Sequence, residues 1–408
     1  MPAPACHRPW RARHADAGGG AATVTVSSPV WMLWGGTALA AAAMIYTIAA
    51  VFAVRWRQRR APLARVDHTP AVTVLKPLCG DEHELYECLH SFVEQDYPHF
   101  QIVFGVSDGD DPAVAVVRRL QGEFPAHDLQ LAIDRRQHGS SRKVSNLINM
   151  MALARHEYLV ISDSDVRVTR DYLAQVVGPL HDAEVGIVTC AYRGNPRPGL
   201  WSLMGSLFIN DWFMPSVSVA AVSGSRAFAF GSTIALRSSV LERIGGFAAI
   251  ANQLADDYRL GELTRGLGLR TVLSDLVVET CVDERSFVGM VRHELRWLRT
   301  IRAVRPVGYS MSFVTFGLPV AGVGSLLTAG TSLAVTMLGI TTLARIMLHW
   351  TVRRPGAALA HVALLPLRDG LSLILWGWSF VNRHVHWRDH RFQVTRDGSV
   401  QPVVRISS

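Results

Sequence analysis

Residues 30–54 form a run of 25 positions without a charged side chain. An apolar helix needs about 20 residues to cross the hydrocarbon core of a bilayer, so this run is long enough to span a membrane. Trp31 and Trp34 lie near its start, and four arginines follow it at positions 55–60. Aromatic and basic residues are typical of the membrane boundary. We therefore expect a transmembrane anchor over residues 30–54, preceded by a disordered N-terminus over residues 1–29.

The charges that flank the anchor predict its orientation. Three arginines precede it and five follow closely, and basic residues favour the cytoplasmic side of a membrane helix. We expect the chain after the anchor to face the cytoplasm from the inner membrane, with several spans in all. A cleaved signal peptide fits less well, since its apolar core is shorter and ends at a small-residue cleavage site.

Composition indicates which partners to expect. The formal net charge of +8 lies largely beside apolar segments, which favours a membrane surface with anionic lipid over nucleic acid. No nucleic-acid-binding motif is present. The five cysteines are widely spaced and form no Cys-x-x-Cys pair, which suits reduced, packed residues in a cytoplasmic domain.

Residues 68–306 alternate between short apolar runs and amphipathic segments. We expect strands at residues 72–75, 100–106, 129–133, 158–161, 185–190 and 228–236, and helices at 82–94, 112–124, 143–154, 171–180, 252–267 and 286–304. This order predicts an α/β domain with a largely parallel sheet covered on both faces. Residues 201–212 have apolar side chains at helical spacing, which fits either a core helix or an interfacial helix that admits a lipid.

The C-terminal region returns to a membrane-like composition. Residues 310–344 carry no charge and are long enough for two spans with a turn near 322–330. A third apolar segment, 357–381, contains Pro366, Arg368 and Asp369. Because charges at membrane depth are costly, we expect this third segment to be re-entrant or to lie in the membrane plane. Residues 310–381 are then a membrane region, and 382–408 a cytoplasmic tail.

Polar signatures follow the predicted strands and helices in a characteristic order. They are Asp108 after the second strand, Asp163-Ser164-Asp165 after the fourth, Asp256-Asp257 on a helix, and His293-Glu294-Leu295-Arg296-Trp297 on the helix at 286–304. In an open α/β sheet, ligands bind beyond the carboxyl ends of the strands. Two carboxylates one residue apart at such an end can hold a hard divalent cation. Taken alone, an acidic turn that caps a strand is the simpler interpretation of the Asp-x-Asp.

In this order, the four signatures resemble the D, DxD, (E/D)D and (Q/R)xxRW motifs of the membrane-bound inverting glycosyltransferases with the GT-A fold. The chain looks most similar to the ceramide glucosyltransferase group of families 2 and 21, and within it to bacterial members associated with hopanoid biosynthesis. The resemblance implies a Rossmann-like GT-A domain with transmembrane helices on both sides. The chain departs from the pattern at His293, where the family has Gln or Arg. An imidazole can substitute there as a hydrogen-bond donor.

The resemblance also implies a role for each motif residue. Asp108 would bind the uridine of a UDP-sugar, and Asp163 and Asp165 would hold Mg²⁺ or Mn²⁺ on its diphosphate. Asp257 would be the general base, with a pKa raised by its neighbour Asp256. The acceptor or diphosphate side would be lined by Asp256, His293, Arg296 and Trp297.

Lysine usage adds a separate indication for one residue. Lys76 and Lys143 are the only lysines among 41 basic residues, and Lys143 follows a Gly-Ser-Ser-Arg loop at the start of a helix. This placement is typical of a phosphate contact, although chance retention explains it equally well. We count Lys143 with the nucleotide-sugar-binding residues.

Together these features predict an enzyme that transfers a sugar, expected to be N-acetylglucosamine, from a UDP-sugar to a hydroxyl of a membrane lipid. The expected acceptor is a hopanoid. One alternative is a ceramide or diacylglycerol glucosyltransferase with the same fold. Another is a non-catalytic membrane subunit that only binds sugar nucleotides, which would have no need of Asp257.

Overall fold

The structure is a computed structural model that describes residues 29–60, 69–80, 82–353 and 361–381. Of the C-terminal tail it describes the backbone of three short strands. The predicted disordered N-terminus, apart from residue 29, and the side chains of the tail lie outside the described residues.

Strands and helices alternate through the first two thirds of the chain. The helix at residues 30–58 comes first and is α1. The elements of this part are, in chain order, α1 (Val30–Gln58), β1 (Val72–Pro77), α2 (Leu85–Val93), β2 (Phe100–Val106), α3 (Ala113–Glu123), β3 (Asp128–Ile133), α4 (Arg142–Met150), β4 (Tyr158–Ile161), β5 (Val166–Arg167), α5 (Tyr172–Val177), β6 (Val185–Pro196), α6 (Leu200–Phe208), α7 (Met214–Val222), β7 (Ile234–Arg237), α8 (Ser238–Arg243), α9 (Asp256–Gly266) and β8 (Arg270–Val282). A π-helical turn, Ile209–Phe213, joins α6 to α7.

Helices dominate the rest of the chain. They are α10 (Phe287–Val304), α11 (Pro306–Met311), α12 (Gly317–Leu327), α13 (Ser332–Val352) and α14 (His361–Trp378), and the tail adds the three-stranded sheet of β9 (His384–Trp387), β10 (His390–Val394) and β11 (Val400–Pro402).

The first eight strands form one mixed sheet in the order β3-β2-β1-β4-β7-β6-β8-β5. The strands β3, β2, β1 and β4 are parallel, as predicted. The strands β6 and β8 run in the same direction, so the prediction of a largely parallel sheet is confirmed. The exceptions are β7, which runs antiparallel to both β4 and β6, and β5, which runs antiparallel to β8. Two apolar clusters cover the two faces of the sheet, one packed under α2, α3 and α5 and the other under α4 and α9.

Two strands differ from their predicted bounds for local reasons. The run at 228–236 becomes a strand only from Ile234, because residues 230–233 form a tight turn in which Thr233 N–H donates to the Phe230 carbonyl at 3.0 Å. The long strand β8 was not predicted. Its register against β6 shifts at Ser274–Val277, and this irregularity interrupts the alternation of apolar and polar residues.

Among the residues that the structure describes, two helices, α1 and α13, are long and apolar enough to cross a membrane. The helices α1 and α12 cross closely at two glycines. A Cβ on Gly36 would lie 2.6 Å from the Gly324 carbonyl oxygen, and one on Gly324 would lie 2.5 Å from the Gly36 oxygen. Small residues allow such close packing of membrane helices. The basic end of α1 meets the eight-stranded sheet, where Arg57 donates to the Ser274 carbonyl at 3.1 Å.

The helices of the C-terminal region include one sharp bend among the described residues. Residues 306–315 and α12 form a pair bent by 74°, which counts as a third candidate span only if the pair is one broken helix. The third apolar segment, expected to be re-entrant or to lie in the membrane plane, contains the helix α14, which continues through Pro366. It tolerates its charges because Arg368 and Asp369 are buried against partners from other helices.

Buried ion pairs join α14 to its neighbours. Arg345 of α13 makes two contacts of 2.8 Å with Asp369 and one of 3.1 Å with Asp211 in the π-helical turn. His349 also contacts Asp211, at 3.0 Å. Arg368 Nη2 lies 2.7 Å from Glu294 of α10, and both side chains are almost fully buried. The Arg368–Glu294 pair therefore ties α14 to the helix that carries the predicted His293, Arg296 and Trp297.

Replacing Arg368 by Met should destabilise the protein by about 3–5 kcal/mol, because the Glu294 carboxylate is then buried without its cation. Replacing both partners, by Met and Leu, should restore most of that loss. Thermal unfolding in detergent measures both effects. The exposed pair Arg119–Glu123 is the control, and Arg119→Met should cost less than about 1 kcal/mol. Equal losses for Arg368→Met and Arg119→Met would contradict the role of the buried pair.

Candidate active site

One edge of the sheet collects most of the predicted site residues. The parallel strands β1, β2 and β4 all end there, and Asp163 lies two residues after the end of β4. Because β7 is antiparallel to β4, with Ile161 opposite Ile234, the turn before β7 also lies at this edge and brings Gly231 to Asp163. The same register places Tyr192 of β6 near that turn. The antiparallel direction of β7, which the sequence did not predict, thus contributes to the site.

Lys143 and Asp163 form the central ion pair of this edge. Lys143 Nζ lies 2.5 Å from Asp163 Oδ1 and 3.7 Å from Asp256 Oδ2. Burial alone would lower the pKa of Lys143, but the charges of Asp163, Asp256 and Asp257 outweigh it and raise the pKa. The lysine therefore carries a full positive charge in the crevice.

The loop before α4 positions Lys143. Ser141 caps α4, with its hydroxyl accepting from Val144 N–H at 3.3 Å, and its own N–H donates to the Ala251 carbonyl at 2.9 Å. Gly139 permits this approach, since a Cβ there would lie 2.5 Å from the same carbonyl oxygen. Because Ala251 lies just before α9, the contact brings Lys143 beside the acidic start of α9.

Asp257 lies in the first turn of α9 with two backbone partners. Gly231 N–H donates to its Oδ2 at 2.9 Å, and Tyr258 N–H donates to its Oδ1 at 2.7 Å. Burial and the adjacent charge of Asp256 raise the pKa of Asp257 to about 6, although Lys143 opposes the shift. A carboxylate with this pKa is ionised at neutral pH and able to accept a proton.

Asp165 lies behind Asp163, with its Oδ2 accepting from the Thr280 hydroxyl at 2.6 Å. Burial and the charge of Asp163 raise the pKa of Asp165. This mutual repulsion is what a bound cation relieves, so the pair fits a divalent ion with open positions for ligand oxygens. Among the described residues, no group of three or more His, Cys, Asp or Glu side chains forms a metal site.

Two residues without a predicted role support the Asp163–Asp165 turn. Lys76 is fully buried, its Nζ donates to the Asp163 carbonyl, and it lies 3.9 Å from the centre of the Phe92 ring. Burial lowers the pKa of Lys76 to about 8. Burial also raises the pKa of Glu82 to about 7, although a hydrogen bond from Ser164 opposes this shift. The sequence signal for Lys76 was its rarity, since both lysines of the chain meet at this turn.

Arg296 faces the acidic edge from α10. Burial lowers the pKa of Arg296, and the charge of Asp163 partly offsets the effect. Within the described part of the chain, its guanidinium is in ion-pair contact with no carboxylate. Trp297 belongs to an aromatic wall with Tyr192, Phe208 and Phe213, at centroid distances of 6.0 to 6.3 Å. Sequence analysis missed Tyr192, because its strand extends six residues beyond the predicted end.

Two predicted residues lie outside the acidic cluster. Asp108 follows β2, where its carboxylate pairs with Arg135 at 2.6 Å. This hydrogen bond lowers the pKa of Asp108, and the side chain remains about half exposed. His293 pairs with Glu284 at 2.6 Å and stands against Trp297 at a ring distance of 5.2 Å. It therefore contacts Glu284 and the aromatic wall.

Comparison with solved structures identifies the fold. The chain resembles a mannosyltransferase from Pyrobaculum calidifontis in complex with GDP-Man and Mn²⁺, with a TM-score of 0.50 and 22% identity. The likeness covers 86% of this chain and 95% of the other. At this identity it shows the fold alone, and the fold is the predicted GT-A fold of glycosyltransferases.

Sequence comparison then gives the family. Residues 35–400 match the model of glycosyl transferase family 21, and the chain belongs to that family. Ceramide glucosyltransferases 3 and 1 of Caenorhabditis elegans are each 24% identical to it, over 58% of this chain and 52% and 51% of their own lengths. The chain spans about half the length of these curated relatives. The resemblance predicted from the motifs is confirmed at the level of the family.

Gly231 offers a direct test of the site geometry. A Cβ there would lie 3.1 Å from both Asp163 Oδ2 and Lys143 Nζ, so Gly231→Ala should push these groups apart. We expect at least a 10-fold loss of nucleotide-sugar affinity, measured by calorimetry, with little change in melting temperature. Gly122→Ala, on the exposed face of α3, is the matched control because its added methyl meets nothing within 4 Å. Unchanged affinity in Gly231→Ala would contradict this arrangement.

Proposed function

We propose that the chain transfers a sugar from a UDP-sugar to a hydroxyl of a membrane lipid with inversion at the anomeric carbon. The observation that carries the proposal is Asp257, an ionised carboxylate with a pKa of about 6 beside the Lys143–Asp163 pair. Inverting transfer needs a base for the acceptor on one side of the sugar and positive charge for the leaving diphosphate on the other.

Each predicted residue has a place in this proposal. Asp257 accepts the proton of the lipid hydroxyl as its oxygen attacks the anomeric carbon, and the bond to UDP breaks in the same step. Asp163 and Asp165 would hold Mg²⁺ or Mn²⁺, which neutralises diphosphate charge when it is bound. Lys143 and Arg296 would contact diphosphate oxygens, and Asp108 the uridine.

The acceptor side follows from the aromatic wall and its location. Tyr192 lies within the electrostatic reach of Asp257 and Asp163, and Trp297 packs against it. Phe208 of the same wall contacts Trp297 and Arg368 of α14. An apolar route from the helical region to the base suits a lipid whose hydroxyl enters the crevice. His293, next to Trp297, would then lie near the acceptor.

The expected donor indicates on which side of the membrane the reaction takes place. UDP-sugars are made in the cytoplasm, and the arginines after α1 favour that side. We therefore propose an inner-membrane protein whose catalytic domain faces the cytoplasm. N-acetylglucosamine and a hopanoid are the sugar and acceptor expected from the motifs.

A second candidate is glucosylation of ceramide or diacylglycerol. It is favoured by the relatives in Caenorhabditis elegans, which are named ceramide glucosyltransferases. The same site residues serve either reaction, so only the substrates distinguish the two. A non-catalytic sugar-nucleotide-binding subunit would release no UDP with any of them.

The deciding experiment incubates the purified full chain in detergent with UDP-glucose or UDP-N-acetylglucosamine and, separately, a hopanoid alcohol, ceramide or diacylglycerol. UDP release and mass spectrometry of the lipids report the reaction. We expect sugar transfer to one of these lipids that depends on a divalent cation. If no glycolipid formed with any of these acceptors in the presence of Mn²⁺, the proposal would be contradicted.

The base assignment predicts unequal effects of the two carboxylates of α9. Asp257→Asn should lower transfer by about 10²–10⁴-fold and leave donor affinity nearly unchanged, because it removes only the proton acceptor. Wild-type turnover should fall as pH drops below about 6, where Asp257 becomes protonated. Asp256→Asn should shift this midpoint to lower pH, because a neighbouring negative charge is lost. Turnover at several pH values measures both effects, and a larger loss in Asp256→Asn would assign the base to Asp256.

A further inference from the structure

Lys143 occupies a carboxylate that the donor's metal would need. Its ammonium lies 2.5 Å from Asp163 Oδ1, and both the ammonium and the other Asp163 oxygen would lie 3.1 Å from a Cβ on Gly231. Octahedral metal–oxygen bonds are about 2.0–2.1 Å long for Mg²⁺. A divalent ion on Asp163 would therefore stand next to the ammonium, with like charges in contact.

Coulomb repulsion at this separation is large. Two positive charges about 4 Å apart repel strongly in a partly buried crevice, because the effective dielectric constant is well below that of water. The Lys143 side chain is 21% exposed, and Asp163 is 37% exposed. The ammonium is therefore within reach of an entering ligand, and it can leave Asp163 only if another anion receives it.

A donor diphosphate is such an anion. The lysine stem is long and flexible, and the crevice next to it is kept open by Gly231, which has no side chain. Asp256 is a second partner at 3.7 Å, so the ammonium already lies between two carboxylates and needs only a short movement toward the crevice.

We propose that Lys143 is an internal competitor for the metal position: it neutralises Asp163 in the empty site and moves to the diphosphate when metal and donor bind together. The inference rests on the proposed function, since it takes Asp163 as a ligand of the donor's metal. It makes metal binding without nucleotide weak and metal binding with nucleotide strong. The protein thereby avoids holding a divalent ion without its substrate.

Lys143→Met tests the competition through two effects of opposite sign. In the absence of nucleotide, the apparent affinity for Mn²⁺ should increase by at least about 10-fold. The reason is that the ammonium no longer occupies Asp163, so every molecule has this carboxylate available for the metal. In the presence of UDP, Mn²⁺ affinity should decrease by a similar factor, because the diphosphate no longer has the Lys143 ammonium as a partner. Electron paramagnetic resonance of free Mn²⁺ measures both affinities on the full chain in detergent.

Two variants serve as controls. Arg142→Met removes the same unit of charge from the exposed neighbour on α4, so it should shift Mn²⁺ affinity by less than about 2-fold. Lys143→Arg keeps the charge and should leave the affinity without nucleotide weak. If Lys143→Met does not fold, Lys143→Gln keeps a polar group for Asp163 and should show the same two shifts.

The outcomes separate this inference from the proposed function. Unchanged or weaker Mn²⁺ binding by Lys143→Met without nucleotide would overturn the competition, even where UDP-dependent Mn²⁺ binding by the wild type persists. A wild type that binds no Mn²⁺ with UDP would remove the metal from the proposed function. An equal gain of affinity in Arg142→Met would attribute the effect to overall charge and also overturn the inference.

Discussion

Repulsion among carboxylates at one edge of the sheet is the constraint on which the site depends. Asp163, Asp165, Asp256 and Asp257 come from two segments almost a hundred residues apart, and cations and hydrogen-bond donors hold them together. Lys143 reaches Asp163 and Asp256 at once, and Lys76 fixes the Asp163 carbonyl from beneath. Gly231 N–H and the start of α9 stabilise Asp257.

That arrangement depends in turn on how the chain is attached to its helical region. The basic end of α1 contacts β8, which holds Asp165 through Thr280. On the other side, the buried Arg368–Glu294 pair joins α14 to α10, the helix of Arg296 and Trp297. Both halves of the crevice are therefore tied to apolar helices, which fits an enzyme whose acceptor enters from a lipid phase.

Much of the fold follows from the sequence. The predicted strands at 100–106 and 158–161 match β2 and β4 in their bounds, because each is a short apolar run that ends at polar residues. The antiparallel position of β7 was not predictable, since periodicity carries no information on strand direction. The bulged β8 was missed because its irregular stretch breaks the alternation on which strand prediction relies.

The site was predictable where a motif brings residues close in sequence and less so where the fold brings them together. The Asp-x-Asp and Asp256–Asp257 pairs are visible as motifs, and the structure places both beside Lys143. The roles of Gly231, Tyr192 and Thr280 arise only from strand order. His293 illustrates the converse, because a motif position predicted its place on α10 but not its pairing with Glu284.

The most direct test of the account is the anomeric configuration of the glycolipid product, determined by proton NMR after transfer from an α-linked UDP-sugar. A single displacement assisted by Asp257 predicts a β-linked product with inverted configuration. A product with the α configuration would require a covalent intermediate or front-side attack, and would contradict the assignment of Asp257 as the base.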